Sequence, residues 1–281
     1  MAALAAAGYH AVAPDMRGYG ESERPPEIER YTLFHLVGDL VGILDALGEP
    51  KAVIAGHDWG APVAWHAALT RPDRFRAIMA LSVPYRPRGS VAPTTVMPQT
   101  PEGIFYQLYF QGPGVAEAEL ERDVRESLHR ILYSGSGDVP RRNPGVAHAG
   151  VGMVPRSGGF LTRMPDPQPV PWLSDADLDT YTSQFAQSGF RGGLNWYRNI
   201  DRNWELLAPY AGAPITVPAL YMAGDLDLVV AFPRMKEVIA DLKRFVPELR
   251  SSIMLKGCGH WTQQERAGEV NSAMIQFLRA L

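Results

Sequence analysis

Along this chain, short unbroken apolar runs alternate with stretches whose apolar residues recur at helical spacing. Tyr9–Pro14, Val53–Gly56, Ala77–Val83, Ala219–Ala223 and Ser252–Leu255 read as strands. The apolar run Ala61–Trp65 is helix-compatible, and Ala267–Leu281 closes the chain as an amphipathic helix. Residues 1–85 thus read as strand, helix, strand, helix, strand, and the alternation resumes at Val217. Between them, Pro84 to Pro101 is rich in proline and loses periodicity, which marks an exit from the sheet. An inserted segment follows to about Pro209; Ser174 followed by Asp177 signals a helix start within it. Its middle, Gly135 to Pro171, is dense in glycine and proline and is expected to be a long loop or lid. The pattern predicts an α/β core in two parts, 1–85 and 210–281, with a helical cap over 86–209.

The chemistry sits at the ends of the predicted strands. Val53-Ile54-Ala55 runs into Gly56-His57-Asp58-Trp59-Gly60, and a helix follows. A Gly-x-Asp-x-Gly turn between strand and helix has the form of a nucleophile elbow, with small residues where the backbone must approach closely. The central residue is Asp58 rather than serine. A carboxylate suits displacement at saturated carbon, which leaves an alkyl ester that water must cleave. An aspartate before a helix also suits a cap, so the elbow needs company. Elbow enzymes follow the nucleophile with an acid and then a base. Asp225 and Asp227 lie just past the strand Ala219–Ala223, and His260 lies just past Ser252–Leu255. Spacing alone does not choose between Asp225 and Asp227.

These residues, taken with others, resemble the soluble epoxide hydrolases of the α/β-hydrolase superfamily from about residue 8 to the C-terminus. The resemblance rests on Asp15-Met16-Arg17-Gly18-Tyr19-Gly20-Glu21-Ser22, the elbow, and Tyr106-Gln107-Leu108-Tyr109-Phe110-Gln111-Gly112-Pro113-Gly114. It extends through Ser188-Gly189-Phe190-Arg191-Gly192-Gly193-Leu194-Asn195-Trp196-Tyr197-Arg198-Asn199 and Gly257-Cys258-Gly259-His260-Trp261-Thr262-Gln263. The last three stretches are especially similar to the hydrolase domain of the mammalian soluble enzymes. The resemblance implies an α/β-hydrolase fold, mostly parallel in its sheet with helices on both faces, and a cap inserted after the family's sixth strand. It implies Asp58 as nucleophile, His260 as base, Asp227 as the acid that orients it, and Tyr106 and Tyr197 as cap donors to the epoxide oxygen. Two phenolic O–H groups stabilise an alkoxide where it develops. Trp59 is implied as one backbone donor to the oxyanion formed when the ester is cleaved. Taken alone, Tyr106, Tyr109 and Tyr197 would read as helix packing.

One family motif, His-Gly-x-Pro, is absent: none of the seven histidines precedes a glycine. Met1 to Gly8 resembles the end of the family's first helix, and Tyr9–Pro14 its fourth strand. The expectation is an N-terminally truncated chain, or one with a mis-set start, lacking three strands and the oxyanion loop and turning over below the family's rate.

Composition narrows the classes further. A net charge of −3 gives no electrostatic case for nucleic acid or an anionic membrane surface. The Ala-rich start has neither a basic flank nor the span of a membrane helix, so no membrane insertion is expected. Cys258, the single cysteine, excludes an internal disulfide and fits a reducing, cytoplasmic setting. No metal cluster or cofactor is implied; a small-molecule epoxide and water are the expected partners, and a homo-oligomer stays open. A haloalkane-type dehalogenase would also suit Asp58 and Trp59 but has no use for paired tyrosines. A catalytically weakened binding paralogue suits the missing loop but not the intact Asp58, Asp227 and His260.

Overall fold

The computed structural model describes residues 1–139 and 151–281. Along the chain run α1 (Ala2–Ala6), α2 (Leu33–Ala46), β1 (Ala52–His57), α3 (Gly60–Thr70) and β2 (Phe75–Leu81). Then come β3 (Gly103–Phe105), α4 (Tyr106–Tyr109), α5 (Val115–Leu120), α6 (Val124–Ser134), β4 (Met153–Pro155), α7 (Asp175–Ser188), α8 (Arg191–Arg198) and α9 (Ile200–Leu206). The chain ends with β5 (Ala219–Gly224), α10 (Met235–Ala240), β6 (Leu249–Leu255), α11 (Thr262–Glu265) and α12 (Ala267–Arg279). It gathers into two compact units, one of residues 1–14, 36–87 and 212–281, the other of residues 15–35 and 88–211.

The first unit is built on a parallel four-stranded sheet in the order β1-β2-β5-β6. A parallel sheet needs cover on both faces, and the strands supply apolar side chains to each. Ala77, Met79 and Leu81 of β2 join Leu220 and Met222 of β5 in a core that takes in Val270, Met274 and Phe277 of α12. By strand alternation the buried Ile78 and Ala80 point to the opposite face. Helix α3 packs against β1 and β2, burying Ala61, Ala64, Trp65 and Ala68.

One expected strand is missing. Tyr9–Pro14 makes no ladder with any described strand, and most of it is exposed. An apolar pattern becomes a strand only where a neighbouring strand satisfies its N–H and C=O groups, and no described strand lies in register with it. The other core strands form, though β2 starts at Phe75 and ends at Leu81, two residues earlier at each end than the pattern suggested.

The second unit is mainly helical, with a short antiparallel ladder pairing Gly103 with Pro155 and Phe105 with Met153. Its core gathers Phe110, Ala116, Leu120, Leu128, Leu178, Phe190 and Leu194. Ser174 caps α7 as expected: its hydroxyl accepts from the Asp177 N–H while the Asp177 carboxylate accepts from the Ser174 N–H. Indole N–H of Trp196 donates to the Arg17 carbonyl, which ties residues 15–35 into this unit. Of the expected loop between Gly135 and Pro171, residues 140–150 lie outside the described residues.

Candidate active site

Four parallel strands ending on one edge place four chain segments side by side, and the polar residues of the first unit collect there. Asp58 follows β1 with φ 48°, in the left-handed region, and its carbonyl accepts the Ala61 N–H at the start of α3. A reversal this tight needs Gly56, since a Cβ there would overlap the Gly60 carbonyl. The left-handed conformation is costly for most side chains and is tolerated best by Asn, Asp and Gly. It turns the Asp58 side chain out of the helix, leaving 37% of it exposed.

Asp227 follows β5 and is buried completely at its side chain. Its Oδ1 accepts from the Val229 N–H at 2.9 Å and lies 3.0 Å from Nδ1 of His260. Asp225, two residues earlier, turns away: its Oδ1 accepts the Gly257 N–H at 2.8 Å. His260 follows β6, and its Nε2 lies 3.2 Å from Oδ2 of Asp58. The imidazole is thus held between two carboxylates, one buried and one partly open. The turn carrying His260 is pinned by Glu265, whose carboxylate accepts the N–H of Gly259 at 2.8 Å and of Trp261 at 3.0 Å.

Electrostatics follow from this sandwich. Burial alone would lower the His260 imidazolium, but the hydrogen bonds and charges of Asp227 and Asp58 outweigh it and raise it to about 10. Burial would raise the Asp58 carboxyl, yet the bond and charge of His260 bring it to about 2, helped by the Trp59 N–H. Asp227 is lowered too: burial is overcome by the His260 bond, with the Ser82 hydroxyl adding to it. Asp58, His260 and Asp227 form a carboxylate–imidazole–carboxylate triad in which each charge favours the charged form of its neighbour.

Two groups beside the triad were not singled out in the sequence. His57 ends β1; its Nε2 faces the His260 carbonyl oxygen at 2.7 Å, and its ring packs 4.7 Å from that of His260. Burial and the neighbouring imidazolium lower it to about 4, so it is neutral, with its proton on Nε2. Ser82 follows β2, fully buried and left-handed at φ 70°, with its hydroxyl 3.2 Å from Nδ1 of His260. A polar residue directly after the apolar run Ala77–Leu81 was the available signal for Ser82. Cys258, two residues before His260, is wholly buried, and burial pushes its thiol up to about 12.

In the second unit, Tyr106 and Tyr197 come together: their rings cross edge-to-face with centroids 5.8 Å apart. Phe110 packs against both, at 5.6 and 5.0 Å. Tyr106 Oη accepts from Nε2 of Gln107 at 3.0 Å. Tyr109 goes elsewhere, donating its hydroxyl to Glu119 at 2.8 Å. Among the described residues no group of His, Cys, Asp and Glu is arranged to hold a metal ion. None of their helices is long and apolar enough to cross a membrane.

An elbow aspartate, a buried acid and a histidine on the carboxyl edge of a parallel sheet define an α/β-hydrolase. Residues 1–267 match the family described as alpha/beta hydrolase fold. Within that class the chain belongs to the epoxide hydrolases. It is 47% identical over 285 residues to epoxide hydrolase A of Mycobacterium tuberculosis, covering 99% of this chain and 84% of that one. Bifunctional epoxide hydrolase 2 of Mus musculus is 39% identical, over 99% of this chain and 48% of its own length. A solved epoxide hydrolase from an endophytic Streptomyces superposes with a TM-score of 0.94 at 44% identity, covering 99% of this chain and 83% of that one.

Proposed function

We propose that this chain hydrolyses an epoxide to a vicinal diol through an ester on Asp58, as a cytoplasmic, detoxifying enzyme. The observation that carries the reading is the aspartate at the elbow within 3.2 Å of His260. In the first step Asp58 attacks one epoxide carbon as the C–O bond breaks. Tyr106 and Tyr197 donate to the opening oxygen, and one gives up its proton as the alkoxide forms. The product is a hydroxyalkyl ester of Asp58.

That step alters the base. Esterified Asp58 has lost its charge, so one of the two supports holding His260 protonated is gone. The His260 proton then passes through solvent to the tyrosinate left by ring opening, and the neutral Nε2 can take a proton from water. Asp227 keeps the imidazole oriented through Nδ1, at 3.0 Å. Hydroxide adds to the ester carbonyl, with the Trp59 N–H as one donor to the oxyanion. The diol then leaves, protonated by His260, and the new Asp58 carboxyl gives its proton to Nε2, which restores both the carboxylate and the imidazolium. One epoxide and one water give one diol. The tyrosine roles rest on family membership and on the meeting of the two rings. We assign residues 1–85 and 210–281 to the hydrolase core and 86–209 to its cap.

His260→Gln is the direct test. With styrene oxide, the intact mass should rise by one epoxide, and peptide mapping should locate the adduct on Asp58. An unmodified Asp58 in a folded variant would overturn the nucleophile assignment.

A further inference from the structure

We propose that Gln111 is a positioning residue that sets the spacing of the two phenols, so that both donate to one oxygen; this rests on the tyrosine roles proposed above. Gln111 follows α4, and its Nε2 donates to two carbonyl oxygens, that of Gln107 at 2.8 Å and that of Tyr197 at 3.0 Å. With both partners acceptors, only the NH₂ group of the amide can face them. One acceptor lies on the helix that begins with Tyr106; the other is the main chain of the second tyrosine itself.

The carbonyls of a helix's last turn lack the donors that a continuing helix would provide. Tyr197 lies in the last turn of α8. That carbonyl already accepts a backbone N–H at the helix end, so Gln111 adds a second donor to it and in doing so links two segments that are 86 residues apart. The opposite stitch comes from Arg198, whose guanidinium donates to the carbonyls of Phe110 at 3.1 Å and Gly112 at 3.2 Å. Arg198 also pairs with the half-buried Glu117, so removing it would strand a charge. Gln111 is neutral and is the cleaner lever. Two donors aimed at one developing charge lose their effect when either is displaced by about 1 Å.

Gln111→Met keeps the length of the side chain and removes both donors. Single-turnover mixing with styrene oxide separates ester formation from ester hydrolysis. Ester formation should slow about tenfold, while hydrolysis stays within about twofold and the melting temperature holds. In a Tyr197→Phe background the same change should cost little, since one phenol has no partner to be aligned with. Gln111→Glu, of the same shape, should be slow at neutral pH and recover as pH falls and its carboxyl gains an O–H donor. A structural role alone would move both steps together as the bond returns. Unchanged ester formation in Gln111→Met, or equal slowing of both steps, would overturn the proposal while Tyr197→Phe still slows ring opening. If Tyr197→Phe itself leaves ring opening unchanged, the tyrosine reading fails and the proposal falls with it.

Discussion

The Nε2–H of His57 donates to the main-chain carbonyl of His260 at 2.7 Å, so the residue before Asp58 holds the backbone of His260. The elbow and His260 are thereby fixed to each other twice, once through Asp58 and once through this bond. His57→Leu keeps an apolar bulk but removes the donor and strands a buried carbonyl. Ester hydrolysis should slow about five- to tenfold, the scale of one net hydrogen bond. Ester formation should change less. Stopped-flow single turnovers resolve the two, and equal rates for both proteins would show that the bond does not position the base.

Tyr197→Phe should slow ring opening by about 10²-fold or more, the usual loss for one donor to a developing oxyanion. The edge-to-face contact with Tyr106 needs no hydroxyl, so the fold should be unaffected. The check is the rate of ester formation at saturating epoxide. A rate equal to that of the parent would make Tyr197 a packing residue.

Asp227→Asn should be far more damaging to ester hydrolysis than Asp225→Asn. Asp227 is buried against Nδ1 of His260, whereas Asp225 accepts the Gly257 N–H. An asparagine at 227 carries no charge to stabilise the imidazolium that forms as water is deprotonated. Steady-state turnover of the two variants decides it; the reverse order would name Asp225 as the acid.

Protonation links the triad to stability. His260 is raised from 6.5 to about 10, so its contribution is full below pH 6.5 and is lost as pH rises through about 10. Asp58 is lowered from 3.8 to about 2, so its contribution is full above pH 3.8 and is lost as pH falls through about 2. The pair therefore supports the fold most between about pH 4 and 6.5. The melting-temperature gap between the parent and Asp58→Asn should be widest there and should shrink toward pH 10. A gap independent of pH would contradict the ion pair.

The elbow turn and the strands that end beside Asp58, Asp227 and His260 were legible because each is a local signal. A Gly-x-Asp-x-Gly turn or a capping Ser174 needs only neighbours in sequence. Tyr9–Pro14 was misleading for the opposite reason. Its pattern is that of a strand, but a ladder depends on a partner far along the chain, which a pattern cannot report. Asp225 and Asp227 likewise have the same local setting, and only the fold turns one inward. Ser82, His57 and Gln111 act through bonds to residues 178, 203 and 86 positions away. No window of sequence contains both ends of such a bond.

Cys258 gives this chemistry a further property. Epoxides are electrophiles that alkylate thiolates as readily as carboxylates, and a thiolate is the stronger nucleophile. The chain's one thiol lies two residues from the base, yet burial keeps it out of reach and, with its pKa near 12, protonated at neutral pH. An enzyme that concentrates a reactive substrate must protect its own side chains from it. Here Asp58, whose ester water can cleave, is left open to attack, and Cys258, whose thioether would be permanent, is shut away.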